Sequence, residues 1–367
     1  MKKTLAMVMA ALMMGAVTVG CSSSTPASSA GGASSAASTE PTSSETAAVD
    51  PSDVTIGVCI YKFDDTFMTG VRDQMTKEAQ KFGVTLNIVD SQNKQATQNE
   101  QVDTFITKGV SALCVNPVDR TAAESLVKKA KDKNIPIIFL NREPEADILK
   151  SYDKTWYVGA KAEQSGTLSG QLIVDYFKKN KDADKNGDGK IQYVMLQGEP
   201  GHQDATLRTK YSIQAINDGG FETEKLAADT AYWDKAKATD LMNTFITSQG
   251  IDKIEAVLCN NDDMALGAIE ALKAHGYNKG DKSKYIPVVG VDATAPALEA
   301  MKEGSMYGTV LNDAVNQGNA SVNIAVATAE GKDITKDNIG YELTDEKYVW
   351  IPYVQVTQDN YTDYMTK

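Results

Sequence analysis

Histidine and arginine are scarce: the 367-residue chain holds two of the first, His202 and His275, and four of the second, Arg72, Arg120, Arg142 and Arg208. A histidine-built metal cluster is excluded, and a Ser/His/Asp or Cys/His catalytic machine has to run on one of two imidazoles. Cysteine is as sparse. Apart from Cys21 near the start, Cys59, Cys114 and Cys259 form an odd set with no Cys-x-x-Cys pair, so a full disulfide framework is impossible. Each lies in an apolar run and reads as a buried free thiol. Excess positive charge is missing too: a net charge of -12 argues against nucleic acid and anionic membrane surfaces as partners. Neither a Gly-x-Gly-x-x-Gly nor a Walker loop occurs, since Gly187-Asp-Gly-Lys190 runs on into Ile191 where Ser or Thr is needed.

What is present begins with Lys2 and Lys3, an apolar stretch at 5–19 too short to span a membrane, and Gly20-Cys21. That is the layout of a secretory signal peptide over residues 1–20. A small residue before a lone Cys resembles the bacterial lipobox and makes Cys21 the expected lipidation site, although Thr18 stands where an apolar residue is usual; a plain secreted protein cleaved nearby is the alternative. Residues 21–50 are almost wholly Ser, Thr, Ala, Gly and Pro, a composition that cannot bury a core and reads as a disordered tether. The expected product is an exported lipoprotein on the outer face of the cell membrane, or a periplasmic protein, touching the membrane only through its lipid.

From Val54 onward, short apolar runs alternate with stretches of helical periodicity, the mark of βαβ units and a mostly parallel sheet. The runs at 55–61, 112–115, 135–140, 191–196, 256–259, 286–291 and 308–311 are followed in order by Asp64-Asp65, Asn116, Asn141, residues 198–202, Asn260-Asn261-Asp262, Asp292 and Asn312-Asp313. In open α/β sheets small ligands bind beyond the carboxyl ends of the strands, and here those ends carry neutral or acidic hydrogen-bonding groups. Any one of them also fits a turn or a helix cap. An internal echo pairs Ala112-Leu-Cys-Val-Asn116 with Val257-Leu-Cys-Asn-Asn261, and Ile135-Pro-Ile-Ile-Phe-Leu-Asn141 with Ile286-Pro-Val-Val-Gly-Val-Asp292. The expected fold is therefore α/β, with two similar doubly wound parallel-sheet lobes facing each other across a cleft.

Asp184-Lys-Asn186-Gly-Asp188-Gly189-Lys-Ile-Gln192 matches the first nine positions of an EF-hand calcium loop. Oxygen side chains fall at positions 1, 3, 5 and 9, glycine at the sharp turn, and the Lys190 carbonyl at position 7. Position 12 is Met195 instead of Glu, so a distant carboxylate has to complete the site or the loop is an ordinary turn. The loop leads into a strand, which suits a structural clip better than a sensor. Beyond that strand, Asp204 and Arg208 lie four residues apart on one helical face with His202 just before them. Arg208 as a double donor, Asp204 as an acceptor of paired hydroxyls and His202 as a neutral polar group suit a carbohydrate. Phe67 and Trp233 are the rings available to stack on it.

Tyr61-Lys-Phe-Asp-Asp-Thr-Phe67, the 184–192 loop, Gly198-Glu-Pro-Gly-His-Gln-Asp204, Asn260-Asn-Asp262, Val289-Gly-Val-Asp292 and Gly308-Thr-Val-Leu-Asn-Asp313 together resemble the galactose/glucose-binding proteins of bacterial sugar ABC importers, a type I periplasmic-binding-protein fold. The resemblance covers residues 54–353. It implies a sugar site of Asp65, Phe67, Asn116, His202, Asp204, Arg208, Trp233, Asn261, Asp292 and Asn312, with Phe67 and Trp233 sandwiching the pyranose. It implies a structural calcium ion held by Asp184, Asn186, Asp188, Lys190 through its carbonyl, Gln192 and Glu255. It further implies a three-segment hinge near residues 160, 311 and 347, which divides the chain into an N-terminal lobe of 51–160 plus 312–347 and a C-terminal lobe of 161–311 plus 348–367. The implied protein is a monomer that captures galactose or glucose, is read by an ABC permease and, as a further candidate, by a chemoreceptor, and has no catalytic residues. Two alternatives stay open: a binder of xylose, ribose or a sugar signal, and a secreted glycan hydrolase using Asp65 and Asp292.

Overall fold

The computed structural model describes residues 50–365; the expected signal peptide, Cys21 and nearly all of the tether lie outside the described residues. The first lobe opens with β1 (Thr55–Ile60), α1 (Thr66–Phe82), β2 (Thr85–Asp90), α2 (Gln95–Thr107), β3 (Ala112–Val115), α3 (Ala123–Asp132), β4 (Ile137–Leu140), α4 (Ala146–Lys150) and β5 (Thr155–Gly159). The chain then builds the second lobe from α5 (Ala162–Lys179), β6 (Lys190–Gln197), α6 (Gln203–Asp218), β7 (Glu222–Thr230), α7 (Lys235–Gln249), β8 (Ala256–Cys259), α8 (Asp262–Ala274), β9 (Val288–Val289), α9 (Ala295–Lys302) and β10 (Thr309–Leu311). It returns to the first lobe with α10 (Ala314–Ala329), α11 (Lys336–Ile339) and β11 (Tyr348–Trp350), and ends in the second with β12 (Val354–Val356).

The first-lobe sheet has the order β11-β5-β4-β3-β1-β2, all parallel, and the second β7-β6-β8-β9, also parallel. The antiparallel pair β10-β12 joins the second sheet through a bridge from Val289 to Gly308. Parallel strands covered on both faces read as unbroken apolar runs: Ala-Leu-Cys-Val in β3, Ile-Ile-Phe-Leu in β4 and Ala-Val-Leu-Cys in β8 are buried throughout. Cys59 in β1, Cys114 in β3 and Cys259 in β8 are free, buried thiols.

Two expected strands come out shorter. The runs 135–140 and 286–291 begin pairing only at Ile137 and Val288, because Pro136 and Pro287 have no N–H to give a ladder. The chain passes between lobes at 160–161, 312–313 and 351–353. The last crossing falls later than the expected 347, since Tyr348–Trp350 pairs with Tyr157, Val158 and Gly159 and so belongs to the first-lobe sheet. The expected boundary of 347 is thereby moved beyond β11.

Candidate functional site

The carboxyl ends of both sheets converge on one narrow cavity between the lobes, the place where open α/β sheets bind small ligands. The first lobe contributes Tyr61, Asp65, Phe67, Asn141 and Arg142, and the second His202, Asp204, Arg208, Trp233, Asn261 and Asp292; Asn312 comes from the crossing segment. Nine of the ten expected sugar residues line this wall. Asn116 stands behind it, fully buried. Its Oδ1 accepts from the Tyr61 N–H at 3.3 Å, and its Nδ2 donates to the Leu140 carbonyl at 3.1 Å and the Asn141 Oδ1 at 3.2 Å. The amide is occupied in tying β1, β3 and β4 together beneath the cavity.

Capping and site turn out to be the same thing. Asp65 caps α1 by accepting from the Met68 N–H at 2.8 Å, and its other oxygen accepts from the Tyr61 hydroxyl at 2.6 Å. Asn261 caps α8 through the Met264 N–H at 3.0 Å. His202 caps α6, its Nδ1 accepting from the Asp204 N–H at 3.1 Å. That bond places the ring proton on Nε2. Burial, with the Arg142 and Arg208 cations nearby, holds the imidazole well below its ordinary range, so His202 is a neutral Nε2–H donor.

Arg208 is the hub of the second lobe. Its Nη1 donates to the Asn260 carbonyl at 2.8 Å, and its Nη2 to Asp204 Oδ2 at 3.0 Å and the Tyr353 hydroxyl at 2.9 Å. Burial raises the Asp204 carboxyl, and Arg208 opposes that rise. Asp292 is raised strongly by burial, again against Arg208, and accepts from Asn312 Nδ2 at 3.2 Å. Trp233 lies edge-to-face with His202, centroids 5.0 Å apart. A Cβ on Gly198 would sit 2.0 Å from the indole, so glycine there is what admits the ring. Arg142 Nε, Arg208 Nε and Trp233 Nε1 are buried without an acceptor among the described residues, although buried N–H groups are nearly always paired. A polar ligand in the cavity can supply what they lack.

Sequence reasoning passed over Tyr61, Arg142 and Tyr353. The Arg142 guanidinium stacks over the Tyr61 ring at 3.9 Å and pairs across the cleft with Glu199 at 2.8 Å. Its signal was available: it is one of few arginines and follows directly on the strand end at Asn141. Two further contacts cross the cleft, Gln203 Nε2 to Glu143 Oε2 at 3.1 Å and the Thr66 hydroxyl to both oxygens of Asp263 at 2.9 and 2.8 Å.

At the far end of β6, the 184–192 loop closes on itself. Asp184 accepts from the Gly187 and Gly189 N–H groups, Asn186 from Asp188, and Asp188 from Lys190. Glu255, buried and distant in sequence, accepts from the Lys185 and Gln192 N–H groups. Among the described residues no three His, Cys, Asp or Glu side chains converge as a metal cluster. The Gln192 Oε1, however, is buried beside this loop with no donor. An orphaned amide oxygen among carboxylates and amides is the donor chemistry of a hard oxygen-seeking cation, so the residues present fit calcium.

Residues 56–333 match the family described as a periplasmic binding protein domain. The chain belongs to the periplasmic binding proteins. It is 46% identical over 315 residues to a D-galactose/methyl-galactoside binding periplasmic protein of Haemophilus influenzae, covering 86% of this chain and 92% of that one. It is 35% identical to a Rhizobium meliloti protein named for rhizopine binding, covering 85% and 93%. A solved ABC transporter solute binding protein of Bacillus halodurans with bound myo-inositol superposes with a TM-score of 0.72 at 34% identity, over 86% of this chain and 98% of that one. This is a type I periplasmic binding protein and not an enzyme, and no helix among its described residues is long and apolar enough to cross a membrane.

Proposed function

We propose that this binding protein captures galactose or glucose between its lobes and delivers it to an ABC importer, with a structural calcium ion in the 184–192 loop. The observation that carries the reading is the hydrogen-bonding set on the second-lobe wall: the Asp204–Arg208 pair with a neutral His202 donor, facing Asp65 and Phe67 of the first lobe. Hydroxyls each donate and accept, so they pair with carboxylates and guanidinium alike, while C–H faces lie against Phe67 and Trp233. The affinity is within reach: a micromolar complex needs about 8 kcal/mol, and hydrogen bonds to charged groups contribute roughly 1.5–3 kcal/mol each. The 46% identical galactose-binding relative supports a hexose. The inositol-bound neighbour favours a second reading, a cyclic polyol in the same cavity.

Asp184, Asn186, Asp188, Gln192 and Glu255, with the Lys190 carbonyl, would hold the calcium, which braces the start of β6 against β8. Export, lipid attachment at Cys21 and contact with a membrane permease complete the proposal, and a chemoreceptor remains a further candidate partner. A titration of intrinsic tryptophan fluorescence, with Trp233 in the wall, tests the ligand. Galactose and glucose are expected to saturate at micromolar concentration, with ribose, xylose and myo-inositol at least about tenfold weaker. Calorimetry showing no binding of either hexose sinks the first reading, and preference for inositol selects the second.

Closure joins the lobes through contacts that only the closed form makes. Arg142 is 5% exposed where it meets Glu199, so removing the partner leaves a buried cation. Glu199→Gln is expected to speed ligand dissociation about tenfold while leaving association within a factor of about two. Stopped-flow fluorescence reads both rates; an unchanged dissociation rate would show that closure does not lean on this pair.

A further inference from the structure

Asp262 does not line the cavity, yet it is fully buried and every part of it is engaged. Its Oδ1 accepts from the Thr309 hydroxyl at 2.6 Å and its Oδ2 from the Thr294 N–H at 2.8 Å. Its own N–H donates to the Val291 carbonyl at 2.8 Å. These bonds bracket residues 292–293, and that turn is strained: Asp292 has φ 127° and Ala293 φ 54°, values that side-chain-bearing residues seldom adopt. A conformation of this kind persists only where its surroundings over-determine it. Here the surroundings are Asp262 on both flanks, the Val310 carbonyl, which accepts from the Asp292 N–H at 2.7 Å, and the Asn312 N–H, which donates to the Asp292 carbonyl at 3.4 Å.

The approach of the carboxylate is built into the sequence. A Cβ on Gly290 would lie 2.3 Å from Asp262 Oδ1, so glycine at this position leaves the oxygen its place. The charge is badly sited for stability alone. Burial pushes the Asp262 carboxyl up to about 7, with Asp263 adding to the rise, and Asp262 in turn raises its neighbour Asp292. Two donors nevertheless converge on two oxygens. An amide offers a single acceptor and would turn its NH₂ towards one of those donors, so an acid is needed to hold both.

We propose that Asp262 is a positioning residue for ligand recognition: it clamps the strained turn at 292–293 and thereby holds the Asp292 carboxylate at the cavity wall, between Arg208 and Asn312. This rests on the reading that the cavity binds a hexose through Asp292. Asp262 touches no ligand, and its effect passes through one wall carboxylate only.

The test is a mutant cycle on the full chain. Asp262→Asn and the milder Thr309→Val are made in the wild type and in an Asp292→Asn background, and the galactose Kd is read by fluorescence up to millimolar sugar, with the melting temperature alongside. In the wild type, Asp262→Asn is expected to raise Kd about tenfold or more and Thr309→Val severalfold. In the Asp292→Asn background either change is expected to move Kd by less than about twofold. Equal losses in both backgrounds would mean a general structural role and overturn the proposal, as would unchanged Kd values in the wild type. If Asp262→Asn does not fold, Thr309→Val decides by the same criterion. Wild-type protein that binds hexose while the cycle is additive defeats this inference alone; wild-type protein that binds no hexose defeats the sugar reading and this inference with it.

Discussion

Arg208→Met is expected to raise the Kd for galactose by roughly 150-fold to several thousandfold. Arg208 is 5% exposed, and its guanidinium serves Asn260, Asp204 and Tyr353 at once. Removing it deletes the planar donor and leaves the Asp204 carboxylate, 8% exposed, without its counter-charge. Breaking a buried pair in this way costs about 3–5 kcal/mol, which is the stated range of affinity. Arg208→Lys should rescue little, because a point charge on a flexible stem cannot reach three acceptors in fixed directions.

The variant should also change the pH profile. Burial raises the Asp204 carboxyl and Arg208 opposes the rise. As pH falls through that raised value, Asp204 takes a proton and loses acceptor capacity, so affinity declines on the acid side. Without Arg208 the decline should begin at higher pH. Calorimetry across a pH series checks both statements, and a Kd within about tenfold of the wild type would show that Arg208 is not the hub described.

The second large effect concerns the 184–192 loop. Chelation is expected to lower the melting temperature by roughly 10 °C, because calcium at a thousand times its Kd adds about 4 kcal/mol and each kcal/mol is worth about 2–4 °C in a domain of this order of size. Glu255→Gln should abolish the difference between calcium and chelator. It removes a buried carboxylate that reaches the loop from outside, bonded in this structure to the Lys185 and Gln192 N–H groups. Differential scanning calorimetry reads all four combinations. Identical melting temperatures with calcium and chelator in the wild type would mean the loop holds no stabilising ion.

Much of the site was legible because its residues follow buried parallel strands, which announce themselves as apolar runs. Asp65, Asn261 and Asp292 could be placed at the cleft from the strand ends alone. Edge strands were harder: β2 and β7 are half exposed along much of their length, so Thr85–Asp90 and Glu222–Thr230 carry no apolar run to find. Asn116 was placed on the strand end but not beneath the floor, since nothing in the sequence says that Tyr61 and Leu140 take up its amide. Cross-cleft partners such as Arg142 and Glu199 are set by how the lobes meet, which local pattern does not encode. The backbone at Asn141, Trp233 and Asp292, all at positive φ, was equally invisible, because strain of this kind is imposed by tertiary contacts and runs against local preference.

The path of the chain constrains how this molecule can be made. The main core cluster of the first lobe draws on Val54 and Ile56 at one end, on Ala320, Val322 and Ile324 of α10, and on Val349 and Ile351 near the other end. A ribosome that has released only the first half of the chain has therefore produced β1 to β5 with one face of their sheet covered only in part, by α1. The second lobe, apart from β12, is contiguous in sequence and can close earlier. Domains generally fold as units in order of synthesis; here the first lobe to be started is the last to be finished, and it must wait, with apolar surface open, for almost the entire polypeptide to emerge.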